Sequence, residues 1–80
     1  MNKLRDLRED HDLLQKEVAA LLRITQQHYS RIELGINEIT IEQLKTLAEY
    51  YNVSADYILG LIQRPRPLHE YKKNLYNRHE

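Results

Sequence analysis

The sequence predicts an all-α fold, a compact five-helix bundle with a candidate extra helix at the C-terminal end. Three observations lead there. Apolar residues recur at helical spacing, and strand-like alternation is absent. The first sixty residues hold only two glycines, Gly35 and Gly60, and no proline. Side chains suited to capping a helix, Thr25, Thr40 and Ser54, stand just ahead of apolar stripes.

The first helix is expected from about Lys3 to Asp10, with Leu4, Leu7 and His11 on one face. The second runs from about Gln15 to Leu22, with Val18, Ala19 and Leu22 inward. The third follows Thr25 and reaches about Leu34, with Tyr29 and Ile32 inward. Gly35 then sits where a positive φ closes a helix. The fourth follows Thr40, which forms a capping-box pattern with Gln43, and carries Leu44, Leu47, Ala48 and Tyr51 up to Asn52. The fifth follows Ser54 and carries Tyr57, Ile58 and Leu61. No heptad persists, so a coiled coil is excluded.

Residues 1–62 form one domain on this reading, and residues 63–80 a basic tail. Arg64-Pro65-Arg66-Pro67 favours extended chain. Leu68, Tyr71 and Leu75 beyond it suggest a marginal amphipathic helix that needs a docking surface to order. A chain of 80 residues buries only ~60% of its unfolded surface, so a partner subunit would add stability. The sequence has no cysteine, which removes disulfides and thiolate metal sites. The charged start, Met1-Asn2-Lys3-Leu4-Arg5-Asp6, lacks the apolar region of a secretory signal. No apolar run approaches the ~20 residues of a membrane span. The expected setting is therefore cytoplasmic, without membrane contact. Formal net charge is zero, but residues 61–80 carry five basic and two acidic side chains against one and four in residues 35–60. Charge placement, not net charge, then decides which partners fit.

The informative stretch is Gln15 to Gly35. Two helices meet there across Arg23-Ile24-Thr25, with small Ala19 at their closest approach and Ile24 at the corner. The elements Gln15-x-x-Val18-Ala19, Thr25-Gln26-Gln27, Ser30-Arg31-Ile32-Glu33-x-Gly35, Leu44-x-x-Leu47-Ala48 and Val53-Ser54-x-x-Tyr57-Ile58-Leu59-Gly60 follow one another over about residues 3–61. In this combination the chain resembles the phage repressor and Cro helix-turn-helix family, the lambda and 434 repressor type. Thr25-Gln26-Gln27 is similar to the triplet of the 434 type in particular.

The resemblance implies a transcriptional regulator, a repressor by family habit. It would be a homodimer bound to double-stranded DNA at a near-palindromic operator, with the third helix in the major groove. Gln15 would hold a phosphate. Thr25 would cap the reading helix. Gln26, Gln27 and Arg31 would face base edges, glutamine suiting adenine and arginine guanine. His28 and Ser30 would reach bases or phosphate. Asn37, with Thr40, would offer backbone N–H groups to phosphate. Arg8 and Glu33 match a family ion pair that orients the reading helix. Dimer contacts would come from the fifth helix and the tail, including Ile58, Leu61 and Ile62. Departures are Arg23 where the turn usually has glycine, Leu14 where the second helix usually has a serine cap, and Leu21 and Leu34 at normally polar positions.

Other chemistries find little support. The four histidines, His11, His28, His69 and His79, show no paired ligand spacing, so no metal is expected. No nucleophile elbow or glycine-rich phosphate loop is present, and neither an enzyme nor a small-molecule cofactor is expected. The tail reads as a solubilising extension, a dimer element, or a backbone contact through Arg64, Arg66, Lys72 and Lys73. The alternative to a regulator is a protein-interaction module, an antitoxin or adaptor, that uses Leu21, Leu34 and the apolar face of the tail.

Overall fold

The computed structural model describes residues 2–65, and all regular structure among them is helical. The helices are α1 (Leu4–Asp10), α2 (Gln15–Leu22), α3 (Gln26–Glu33), α4 (Ile41–Tyr51) and α5 (Ala55–Ile58). Each contributes to one core. Val18, Tyr29, Leu47 and Ile58 are each 0% exposed, and Leu4, Leu7, Ala19, Ile32, Ala48, Tyr51 and Val53 surround them. Most of the inward positions expected from the apolar spacing are buried; Leu22 and Leu44 are half-buried against the core, and His11, expected on the inward face of α1, is exposed. His11, just past α1, sets its ring 4.8 Å from that of Tyr51.

Three helix starts follow from their cap residues. Thr25, Thr40 and Ser54 each accept a backbone N–H three residues on, at 3.1, 3.1 and 3.3 Å. Gln43 completes a box by accepting the Thr40 N–H at 2.9 Å. Leu14 has no acceptor to offer α2, so only the reverse half forms there, with Glu17 accepting the Leu14 N–H at 2.8 Å. At α1 the cap is Asn2, one residue earlier than usual. Its Oδ1 accepts the Leu4 N–H and its Nδ2 donates to the Ile32 carbonyl, both at 3.1 Å. The Lys3 N–H donates to the Ile58 carbonyl at 2.9 Å. The start of the domain is thereby tied to the ends of α3 and α5.

All five helices end alike. Asp12, Arg23, Gly35, Asn52 and Gly60 adopt positive φ of 55°, 57°, 78°, 55° and 80°. The residue after each returns its N–H to a carbonyl five positions back: Leu13 to Arg8, Ile24 to Ala19, Ile36 to Arg31, Val53 to Ala48 and Leu61 to Asp56, at 2.9–3.1 Å. This is the Schellman closure, which satisfies a carbonyl left unpaired at a helix end and reverses the chain within two residues. It explains how short helices connect through tight turns.

The fifth helix is shorter than the sequence suggested. It ends at Ile58, and left-handed Gly60 leaves Leu61 outside it and 71% exposed. Ile58 cannot make the dimer contact expected of it, because it is fully buried in the protomer's own core. The expected sixth helix over Leu68, Tyr71 and Leu75, and His69 and His79, lie outside the described residues.

One polar node joins three helices. Arg8 of α1 donates to both carboxylate oxygens of Glu33 at the end of α3, at 2.6 and 3.3 Å. Gln15, the first residue of α2, donates to Glu33 at 3.2 Å, and Arg8 also donates to the Leu13 carbonyl at 3.0 Å. The two charged side chains are 12% and 4% exposed. Burial by itself would raise the Glu33 pKa, but the Arg8 hydrogen bond leads the opposing effects and holds the carboxyl below its ordinary value. The Tyr29 hydroxyl is buried beside the same carboxylate, outside hydrogen-bond geometry, and burial pushes its pKa well up. Burial likewise pushes Tyr51 up to about 12.

Two stability predictions follow. A non-glycine residue in left-handed geometry costs ~1–2 kcal/mol, offset in part by the greater unfolded-state entropy of glycine. Arg23→Gly should therefore raise unfolding free energy by about 0.5–1 kcal/mol in a urea titration, while Arg23→Ala gives no gain. Equal stability of the two variants would contradict strain at this turn. The Glu33 pKa is depressed, so its stabilisation is complete above the unfolded-state value of ~4.3 and is lost as pH falls through the lower native value. Below about pH 5, wild type should lose stability more steeply than Glu33→Gln, whose amide does not titrate. Parallel pH profiles would contradict an ion pair formed only in the folded state.

Candidate nucleic-acid interface

The geometry of α2 and α3 follows from the turn between them. Left-handed Arg23 stops α2, Ile24 packs its side chain against the core, and Thr25 opens α3 with its hydroxyl on the His28 N–H. The first turn of α3 therefore begins at the molecular surface. Gln26, Gln27, His28 and Arg31 are exposed, and Ser30 is half-buried. The opposite side of the same helix carries Tyr29 and Ile32 into the core. A helix with one buried stripe and one free polar face can enter a groove without disturbing its own packing.

The sequence-predicted residues do not all meet. Gln15, Gln26, Gln27, Ser30 and Arg31 line one open depression, together with Leu34 and Ile36. Gln15 reaches it from α2, its Nε2 fixed on Glu33. Its amide oxygen and second N–H remain for another partner. Thr25 stands at the head of this face as the cap of α3, and His28 is exposed beside it without lining the depression.

Asn37 is placed elsewhere. It lines a separate depression with Asn2, Gly35, Glu38 and Ile39, and its backbone N–H donates to the Arg31 carbonyl at 3.2 Å. The Thr40 N–H is bound to Gln43 at 2.9 Å. Both amides that were expected to face phosphate thus have partners inside the protein. One closes α3 and the other starts α4, so neither points freely outward.

Two features escaped the sequence reading. One is Ile36 on the rim, 68% exposed beside Leu34 at 67%. The other is a second depression that shares Gln15, Ser30 and Leu34 with the first and continues towards Lys3, just ahead of α1, and Arg5 and Asp6 on it. The polar face therefore borders the charged N-terminal side chains, a proximity that sequence spacing does not reveal.

Arginine and glutamine are side chains that can pair two hydrogen bonds with guanine and adenine edges respectively, and an α-helix fits the major groove. Among the described residues, no group of three or more His, Cys, Asp and Glu side chains could hold a metal ion. No described helix is long and apolar enough to cross a membrane.

Comparison with known proteins places this geometry. The helix-turn-helix family model matches residues 4–58, which spans all five helices. An HTH-type transcriptional regulator of Bacillus subtilis, YobD, is 38% identical over 73 residues, covering 91% of this chain and 64% of YobD. The antitoxin PezA of Streptococcus pneumoniae is 31% identical over 72 residues, covering 90% of this chain and 46% of PezA. The chain thus spans less than two thirds of either relative. A crystal structure of a transcriptional regulator from Listeria innocua superposes with a TM-score of 0.70 at 27% identity, covering 94% of this chain and 73% of that one. With its bundle, its Thr25-capped α3 and this match over most of its length, the chain belongs to the helix-turn-helix family.

Proposed function

We propose that this protein is a sequence-specific DNA-binding transcriptional regulator, acting as a repressor, that inserts α3 into the major groove. The observation that carries this reading is the gathering of Gln15, at the start of α2, with Gln26, Gln27, Ser30 and Arg31, along the length of Thr25-capped α3, on one open face. Gln15 anchors a phosphate, and Gln26, Gln27 and Arg31 address base edges, with His28 and Ser30 alongside. Phosphate contacts set the register and base contacts specify the site. The names of the Bacillus and Listeria proteins support the regulator role. Two subunits would bind half-sites about one helical turn apart, ~34 Å, on a near-palindrome. The protein works in the cytoplasm, without an enzymatic reaction or cofactor.

A second reading, a protein-interaction module of the antitoxin kind, is favoured by the match to PezA and by exposed Leu21 and Leu34, at 41% and 67%. Selection of random duplexes on the purified protein at ~0.15 M salt separates the two, because that salt already screens surface charge. The regulator reading expects enrichment of an inverted repeat. A folded, helical protein that enriches no sequence favours the interaction module.

Given an enriched site, Arg31→Ala should weaken binding by ~1–3 kcal/mol and relax the preference at one base pair. Equal weakening on every sequence would show a phosphate contact instead. Zero net charge further predicts only a moderate dependence of affinity on salt, since few phosphates are neutralised. A slope as steep as that of a strongly basic repressor would contradict this.

A further inference from the structure

The face that gathers the glutamines and Arg31 is not wholly polar. Leu34 and Ile36 line the same depression and are 67% and 68% exposed. The end of α3 holds both in place. The Leu34 N–H donates to the Ser30 carbonyl at 3.1 Å, and Ile36, after left-handed Gly35, donates to the Arg31 carbonyl at 2.9 Å. In such a closure the residue after the left-handed position usually packs on an apolar residue at the paired carbonyl. Ile24 and Val53 have alanines there, Ala19 and Ala48, and both pack into or against the core. Leu13 has Arg8 there and still packs against the core, whereas Ile36, with Arg31 there, stays on the rim.

Resting on the reading of this face as a major-groove interface, we infer that Leu34 and Ile36 are specificity determinants that read thymine C5-methyl groups beside the bases addressed by Arg31. The thymine methyl is the apolar feature that unmodified DNA presents on its major-groove base edges. An apolar side chain gains by covering it. Set against the amino group of cytosine, the same side chain leaves a donor desolvated and unpaired. The interleaving of Leu34 and Ile36 with Gln26, Gln27, Ser30 and Arg31 in one depression fits a groove floor that alternates methyl groups with donors and acceptors. A purely apolar partner would bury those polar groups unpaired.

The test replaces thymine by uracil, which removes the methyl and leaves the hydrogen-bonding edge intact. The duplex is the one enriched by selection, with each half-site thymine changed in turn. Wild type should lose roughly fourfold in affinity for each methyl it covers, the worth of one buried methyl-sized group. The double variant Leu34→Gln, Ile36→Ser, confirmed helical by circular dichroism, should bind thymine and uracil duplexes alike. Three results overturn the inference: an enriched half-site without thymine, a wild type indifferent to every uracil, or a variant that discriminates as wild type does. In each, sequence-specific binding itself survives and the regulator reading stands. The last would leave Leu34 and Ile36 free to serve a protein partner. Failure to enrich any sequence removes both the regulator reading and this inference.

Discussion

The structure turns on one buried carboxylate. Glu33 closes α3, and through it Arg8 fixes α1 and Gln15 fixes the start of α2. Apolar packing alone leaves a short helix some freedom to roll, because dispersion is not directional. A two-pronged arginine contact is directional. At 12% and 4% exposure the pair is too well shielded for salt to matter much. Its value does not lie in net stability, since the desolvation of buried ions can cancel their attraction. It lies in setting the rotation of α3 about its axis, and with it the direction of Gln26, Gln27 and Arg31. Because Gln15 shares the same carboxylate, its side chain and α3 are positioned by a single group.

The second constraint is length. The longest described helix, α4, has 11 residues, and α5 has only four. Helices of this size are unstable alone in water, so they exist by packing and by well-formed ends. The repeated left-handed closure supplies those ends. It also bears on the surface, since the residue after a closure is directed into the core, as with Val53, or outward, as with Ile36 and Leu61. At Arg23 the geometry is retained without glycine, so the turn that matters most for aiming α3 is also a strained one.

Much of this was legible in the residues. Caps at Thr25, Thr40 and Ser54, the closures at Gly35 and Asn52, and the inward stripes are local properties, governed by side chains a few positions apart. The pairing of Arg8 with Glu33 was legible through family likeness. What the sequence hid was non-local or backbone-borne. Asp12 gives no sign of adopting positive φ. Asn2 reaches 30 residues away to the Ile32 carbonyl, and Gln15 18 residues to Glu33. The amides of Asn37 and Thr40 looked available because sequence does not show which carbonyl or side chain engages them. Ile58 read as a surface contact because a four-residue helix lacks enough turns to declare its buried side.

The central claim is that the α3 face held by Glu33 is the surface that meets DNA. The most direct measurement is the backbone amide spectrum of nitrogen-labelled protein during titration with the enriched duplex. The account predicts that the largest shifts fall on Gln15, Gln26, Gln27, Ser30 and Arg31, with Tyr50 and the His11 turn unmoved. Shifts concentrated around Leu59 and Leu61 or on the Tyr50 face, with α3 unchanged, would contradict it.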